Sequence, residues 1–199
     1  MKKDILLCGI GGQGTVLSAK ILAAAAMEEG NIAHSAETIG MAQRGGSVTS
    51  HVRIGQEAFS PLIPYGSADL LLAFEPAEAV RNLKYLRRSG IAIVNTTAVM
   101  PAANVSNGKA AGYDSGVMTE YLKKKCRCIL ADSVELCKPF GSSRYFNIII
   151  LGIASGSDVL GIDREAVLSQ IEEKVPKKYI ETNKEAFLLG YETGSAKRL

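Results

Sequence analysis

A chain of 199 residues, 47% hydrophobic and 22% charged, has the size and balance of one α/β domain, read here as residues 1–199. Its net charge of +3, from 23 basic and 20 acidic residues, is too small for the concentrated basic stripe of a nucleic-acid binder. The longest apolar stretch, Ile148 to Ala154, is far below the ~20 residues of a bilayer span, and no signal-peptide pattern opens the chain, so a cytoplasmic protein with no membrane partner and four reduced cysteines is expected.

With aromatics at 6% and no Trp, the core must be built from Ile, Leu, Val and Ala. The first apolar run, Asp4 to Cys8, has the length of a buried parallel strand. From Gly12 to about Glu29 the apolar residues recur at helical spacing, and Gly30 closes the helix. Ile32 to Glu37 reads as a second strand, so residues 4–37 are predicted to form one β-α-β unit. Ser47 to Ile54 alternates: Val48, Ser50, Val52 and Ile54 share one face, and Ser47, Thr49, His51 and Arg53 the other. This is a half-exposed strand with a polar face, with Ala58 to Ser60 as a short hairpin partner.

Ala68 to Phe74 is another buried strand. Pro76 opens a helix with Ala79, Val80, Leu83 and Leu86 inward and Gly90 at its end, and Ile91 to Val94 returns to the sheet. Residues 95–114 read as irregular, Ser115 to Lys125 as a helix and Cys128 to Leu130 as the last core strand. Beyond Pro139 only helices are predicted: a nearly all-apolar one over Ser143 to Ser155, an Asp163-capped one to Lys174, and a last one from Lys177 to Gly190 with a frayed tail from Glu192. The predicted fold is an open, Rossmann-like, mostly parallel sheet with helices on both faces, an antiparallel addition near residues 47–60 and a helical C-terminal end.

Chemistry is suggested first by Gly9-Ile10-Gly11-Gly12-Gln13-Gly14, a G-x-G-x-x-G directly after a strand and opening a helix. In a dinucleotide site Gly9 allows the sharp turn, Gly11 and Gly12 bring backbone to a pyrophosphate and Gly14 packs helix on strand. Glu37, the 23rd residue after Gly14, has the position of the ribose-binding acid. A tight β-α turn with nothing bound would need the same glycines. The loop over residues 40–48 places Arg44 beside Gly45 and Gly46, which no core demands; Arg suits bidentate contact or interface anchoring. His34 and His51 have no catalytic partners at a recognisable spacing. The cysteines lack the C-x-x-C pairs of zinc or ferredoxin sites, so no metal ligand and no catalytic residue is assigned.

The segments GIGGQG, ETIGMAQRGGSVTSHVR and ADLLLAFEPAEAVR, joined later by FNIIILGIASG and NKEAFLLGYE, resemble the gamma-type component of 2-oxoacid:ferredoxin oxidoreductases, and more closely the small subunit of indolepyruvate:ferredoxin oxidoreductase. The resemblance runs from Lys3 to Tyr191. It implies oxidative decarboxylation of a 2-oxoacid on thiamine diphosphate, electron exit through iron–sulfur clusters to ferredoxin and acyl transfer to coenzyme A. The chain has no GDG-type magnesium–diphosphate motif and no ferredoxin cysteine run, so thiamine diphosphate, Mg and the clusters are expected on a larger partner subunit. On this reading the glycine turn is scaffold or holds a phosphate-bearing group, and Arg44, Gly45, Gly46, Thr49, His51 and Arg53 face the partner and shape its site. Surfaces meant for that partner leave the isolated chain open to homodimerisation. Three alternatives stay open: a stand-alone NAD(P)- or FAD-binding module, a gamma subunit for pyruvate, 2-oxoglutarate or 2-oxoisovalerate, and an assembly protein without a ligand.

Overall fold

A computed structural model describes residues 2–38, 46–56, 60–99 and 113–197, with the backbone of 105–106 and 109–110. Its main sheet has six strands: β1 (Lys3–Ile10), β2 (Ala33–Glu37), β3 (Ser47–Ile54), β4 (Ala68–Ala73), β5 (Leu86–Asn95) and β8 (Arg127–Ala131). Their order is β2-β3-β1-β4-β5-β8. β1, β4, β5 and β8 run parallel, and β3 is antiparallel to both β1 and β2. Two dipeptides, β6 (Val105–Ser106) and β7 (Lys109–Ala110), form a separate small pairing.

The parallel strands are buried on both faces. Ile5 and Leu7 face one core, shared with α1 (Thr15–Glu28), α5 (Phe146–Gly156), α6 (Arg164–Lys174) and α7 (Ile180–Ser195). Leu6 and Cys8 face the other, under α2 (Pro76–Asn82) and α3 (Ser115–Lys125). A last short helix, α4 (Ser133–Cys137), follows β8. Helix α1 ends in a Schellman motif: the Gly30 amide donates to Met27 O and the Asn31 amide to Ala26 O, at 2.9 and 3.0 Å. Helices α5 and α7 touch through backbone, with Gly152 against Gly190, Gly156 against Tyr191 and Gly194 against Ile153.

Four sequence expectations need correction. Strands β1 and β2 are parallel but not neighbours, because the expected antiparallel strand, β3, lies between them. Helix α2 ends at Asn82 and passes through a 3-10 turn into β5, so Leu86 and Gly90 belong to a strand. Gly90 lies where the β4–β5 register shifts, and a Cβ there would stand 2.6 Å from Leu86 Cδ1 and 3.0 Å from Ala68 O. The polar face of β3 is largely covered, with His51 buried and Arg53 half-buried. Finally, α7 runs to Ser195 instead of fraying at Glu192, held by Gly194 against Ile153. The expected hairpin partner at Ala58–Ser60 lies mostly outside the described residues.

Candidate functional site

In open α/β sheets, ligand crevices form at the carboxyl ends of the strands where the order reverses. Here that point lies between β1 and β4, and the glycine turn sits on it. The turn needs its glycines for internal reasons. A Cβ on Gly9 would lie 2.7 Å from Gln13 Oε1 and 2.9 Å from Phe74 Cβ. Gly14 has φ +83° and faces Asn147, whose side chain would stand 2.7 Å from an added Cβ. The Gly11 amide donates to Gly46 O at 2.9 Å, tying the turn to the start of β3.

Gln13 closes the turn. Its Oε1 accepts from the Ile10 amide at 2.7 Å and its Nε2 donates to Phe74 O at 3.1 Å, bridging β1 to the end of β4. Asn95, buried at the end of β5, works alongside it. Its Nδ2 donates to Phe74 O at 3.0 Å, and its Oδ1 accepts from the amides of Thr97 and Ser133 at 3.0 and 3.2 Å. These two side-chain amides fix the mouth of a cavity of about 360 Å³ lined by Gln13, Asn95, Thr97, Ser133 and Arg144 among others. Arg144, exposed on the turn before α5, also lines a second cavity of about 350 Å³ with Leu17, Tyr145 and Asn183.

Two buried carboxylates follow Phe74, one of the lining residues, along the chain. Glu75 and Glu78 are each 1% exposed. Glu75 caps α2 through Oε2, which accepts from the Glu78 amide at 3.0 Å. Burial raises its pKa, and nearby backbone amides offset this only in part. Glu78 accepts from Ser47 Oγ at 2.6 Å and pairs with Arg81. Cys8, wholly buried beside them, has its thiol pushed up by burial and then by both carboxylates, which keeps it neutral.

The structure therefore brings Gly9, Gly11, Gly12, Gly14 and Gly46 together and leaves Glu37 apart. Glu37 pairs with Ser50 of β3, and Ser50 with Leu7 of β1. Two strand spacings, about 10 Å, separate Glu37 from the first strand. Thr49 lies towards the open end of β3, where its hydroxyl is 2.9 Å from that of Thr38. His51 is buried; its Nδ1 accepts from the Ile63 amide at 3.1 Å, its ring meets the edge of Tyr85, and burial and then Arg53 lower its pKa. Arg53 is at the far end of the sheet, donating from Nε to Asp4 Oδ1 at 2.9 Å and from Nη1 to Ser60 O. Arg44 and Gly45 lie outside the described residues.

Sequence reasoning missed Gln13, Asn95 and the Glu75–Glu78 pair. Gln13 was visible as the one side chain with a donor and an acceptor inside the glycine turn, and Asn95 as a lone amide ending an apolar strand. Among the described residues no three His, Cys, Asp or Glu side chains come together as a metal site.

A mixed sheet of this order, with a glycine turn at its switch point and an antiparallel strand beside that turn, is a Rossmann-like scaffold whose ribose position is taken by β3. The family model described as "Pyruvate ferredoxin/flavodoxin oxidoreductase" matches residues 4–193, and the chain belongs to that family. Among curated relatives, indolepyruvate oxidoreductase subunit IorB of Archaeoglobus fulgidus is 37% identical over 96% of this chain and 94% of its own length. The keto/oxoacid ferredoxin oxidoreductase gamma subunit of Geobacter sulfurreducens shares the fold, with a TM-score of 0.71 at 22% identity over 98% of this chain and 99% of that one. The 2-oxoglutarate:ferredoxin oxidoreductase of Magnetococcus marinus contains the same fold within a longer chain: TM-score 0.73 and 18% identity over 98% of this chain but 31% of that one.

Proposed function

We propose that the chain is the small subunit of a cytoplasmic indolepyruvate:ferredoxin oxidoreductase. A larger partner holds thiamine diphosphate, Mg and the iron–sulfur clusters, takes coenzyme A as co-substrate and passes electrons to ferredoxin. The observation that carries this reading is the 37% identity, over nearly the full length of both chains, to a subunit of that name. The site supports it: the glycine turn is closed by Gln13, and the acid expected at a dinucleotide ribose stands a strand away. What this chain supplies is shape and contact surface.

The contact surface we assign lies at the β2–β3 end. Helix α1 covers one face of these strands. On the other face His34 and Thr38 are exposed and Thr49 is half-buried. Arg44, Gly45 and Gly46 directly precede β3 in the sequence and are assigned to the same surface.

The test is co-expression with the large subunit, followed by co-purification and turnover on indolepyruvate, pyruvate and 2-oxoglutarate. Arg44→Ala and Thr49→Glu are expected to lower co-purification and activity together while the isolated chain keeps its melting temperature. Arg53 is left unchanged, because its guanidinium serves Asp4 inside the chain. Reduction of a nicotinamide or decarboxylation of an arylpyruvate by the purified chain alone would overturn the proposal.

A further inference from the structure

Two of the four cysteines stand apart from the buried pair. Cys8 is inaccessible, and Cys137 is buried with its pKa raised to about 11. Cys126 and Cys128 are only partly buried. Cys126 ends α3, its amide and Sγ both bonded to Leu122 O, and Cys128 follows in the edge strand β8. Alternation along the extended segment puts both side chains on one face. They line an open depression whose other walls are Lys123, Lys124, Lys125 and Arg127, all exposed. Lys123 pairs with Glu120 at 2.7 Å and Lys125 lies over the Tyr121 ring, so the rim keeps a net positive charge. Reactive thiols occupy electropositive, partly exposed positions of this kind.

We propose that Cys126 and Cys128, within the rim of Lys123, Lys124, Lys125 and Arg127, form a thiol-exchange site for anionic low-molecular-weight disulfides. The Cys126 thiolate attacks one sulfur of the incoming disulfide. A bond forms between Sγ and that sulfur, the original S–S bond breaks, and the second half leaves as a thiolate that takes a proton from water. The incoming disulfide is the oxidant. Cys126 is the attacking thiol: it sits at the end of α3 beside the three lysines, its Sγ gives up the proton it shares with Leu122 O, and the Cys128 thiol, pushed up by its sulfur neighbour and then by burial, stays protonated. The product is a lasting mixed disulfide. Two extended residues span about 6.6 Å between Cα atoms, at the upper limit of ~6.8 Å for a disulfide, so Cys128 is poorly placed to displace the bound half.

The purified full chain is incubated with oxidised glutathione, which is anionic, or with cystamine, which is cationic, and followed by intact mass and peptide mapping. One glutathione mass is expected on Cys126, added roughly tenfold faster than cystamine at low salt, with the preference shrinking as salt rises. Lys123→Gln/Lys124→Gln/Lys125→Gln should abolish the preference without changing the melting temperature. Cys126→Ser should block the addition, and Cys128→Ser should leave it on Cys126. Equal rates for the two disulfides, first modification at another cysteine, or an intramolecular Cys126–Cys128 bond as the main product would each overturn the proposal.

Discussion

Replacing Gly152 with Ala tests the α5–α7 contact directly. A Cβ at Gly152 would lie 2.1 Å from Phe187 O and 2.8 Å from the Tyr191 amide nitrogen. Carbon–oxygen contacts between packed helices settle near 3.3 Å, so α7 must withdraw by about 1.2 Å. Neither side has slack. The obstacle is backbone, and Ile149, Ile150 and Ile153 on α5 and Phe187 on α7 are all at 0% exposure. Ala gains roughly 1 kcal/mol of helix propensity over Gly. Overpacking a filled core costs about 1–3 kcal/mol, and more where the neighbours cannot turn aside. The net expectation is a loss of about 2 kcal/mol, which lowers the melting temperature of a chain of this size by roughly 4–8 °C. Gly116→Ala in α3 is the control: the nearest atom to an added Cβ there is the Asp114 carboxylate at 3.1 Å, and no backbone is in the way. Calorimetric melts of the two variants decide the matter. A Gly152→Ala melting temperature within 1 °C of wild type, or above it, would refute the backbone-to-backbone packing.

Three further outcomes are expected. Arg53→Ala strands the Asp4 carboxylate, 6% exposed, without its cation and should cost about 3–5 kcal/mol in urea unfolding. Gln13→Glu replaces the donor to Phe74 O with an acceptor and should cost about 1–3 kcal/mol, read from the same transition. Glu75→Gln keeps an oxygen for the Glu78 amide and removes the buried charge. Because the folded carboxyl has a raised pKa, wild type gains stability as pH falls through that pKa. The variant should therefore melt higher than wild type at pH 8, the gap closing towards pH 4.5.

Local chemistry made some elements legible almost to the residue. Asp163 accepts from the Glu165 amide and starts α6 where its cap was expected, and Gly30 stops α1 as a C-terminal glycine should. Errors arose where a decision is made across the chain. Nothing in residues 32–54 says that β3 will slip between β1 and β2, because a strand's pattern specifies its faces and not its neighbours. The polar face of β3 read as solvent-facing, yet Asp4 and the Ile63 amide, both distant in sequence, cover Arg53 and His51. Gly90 read as a helix end because a glycine at a register shift and a glycine at a C-cap look alike in sequence. The site suffered in the same way. Gln13 and Asn95 matter because both reach Phe74 O, a backbone atom that no side-chain motif announces.

That shared carbonyl also bears on what the glycine motif means. In a dinucleotide fold the turn is left open so that phosphate oxygens can take its amides, and β2 lies alongside so that its acid reaches the ribose. Here part of the turn is engaged within the chain and a different strand lies alongside. The Gly11 amide is spent on Gly46 O and the Ile10 amide on Gln13 Oε1, while β3 stands where β2 would have to be. Each close approach at Gly9 and Gly14 is to protein: Gln13 and Phe74 in one case, Asn147 in the other. The motif thus specifies a backbone path that locks β1, β3, β4 and the start of α5 into one rigid end of the sheet. Such tethering fits the surface role proposed above, since a loop held on four sides loses little entropy on binding.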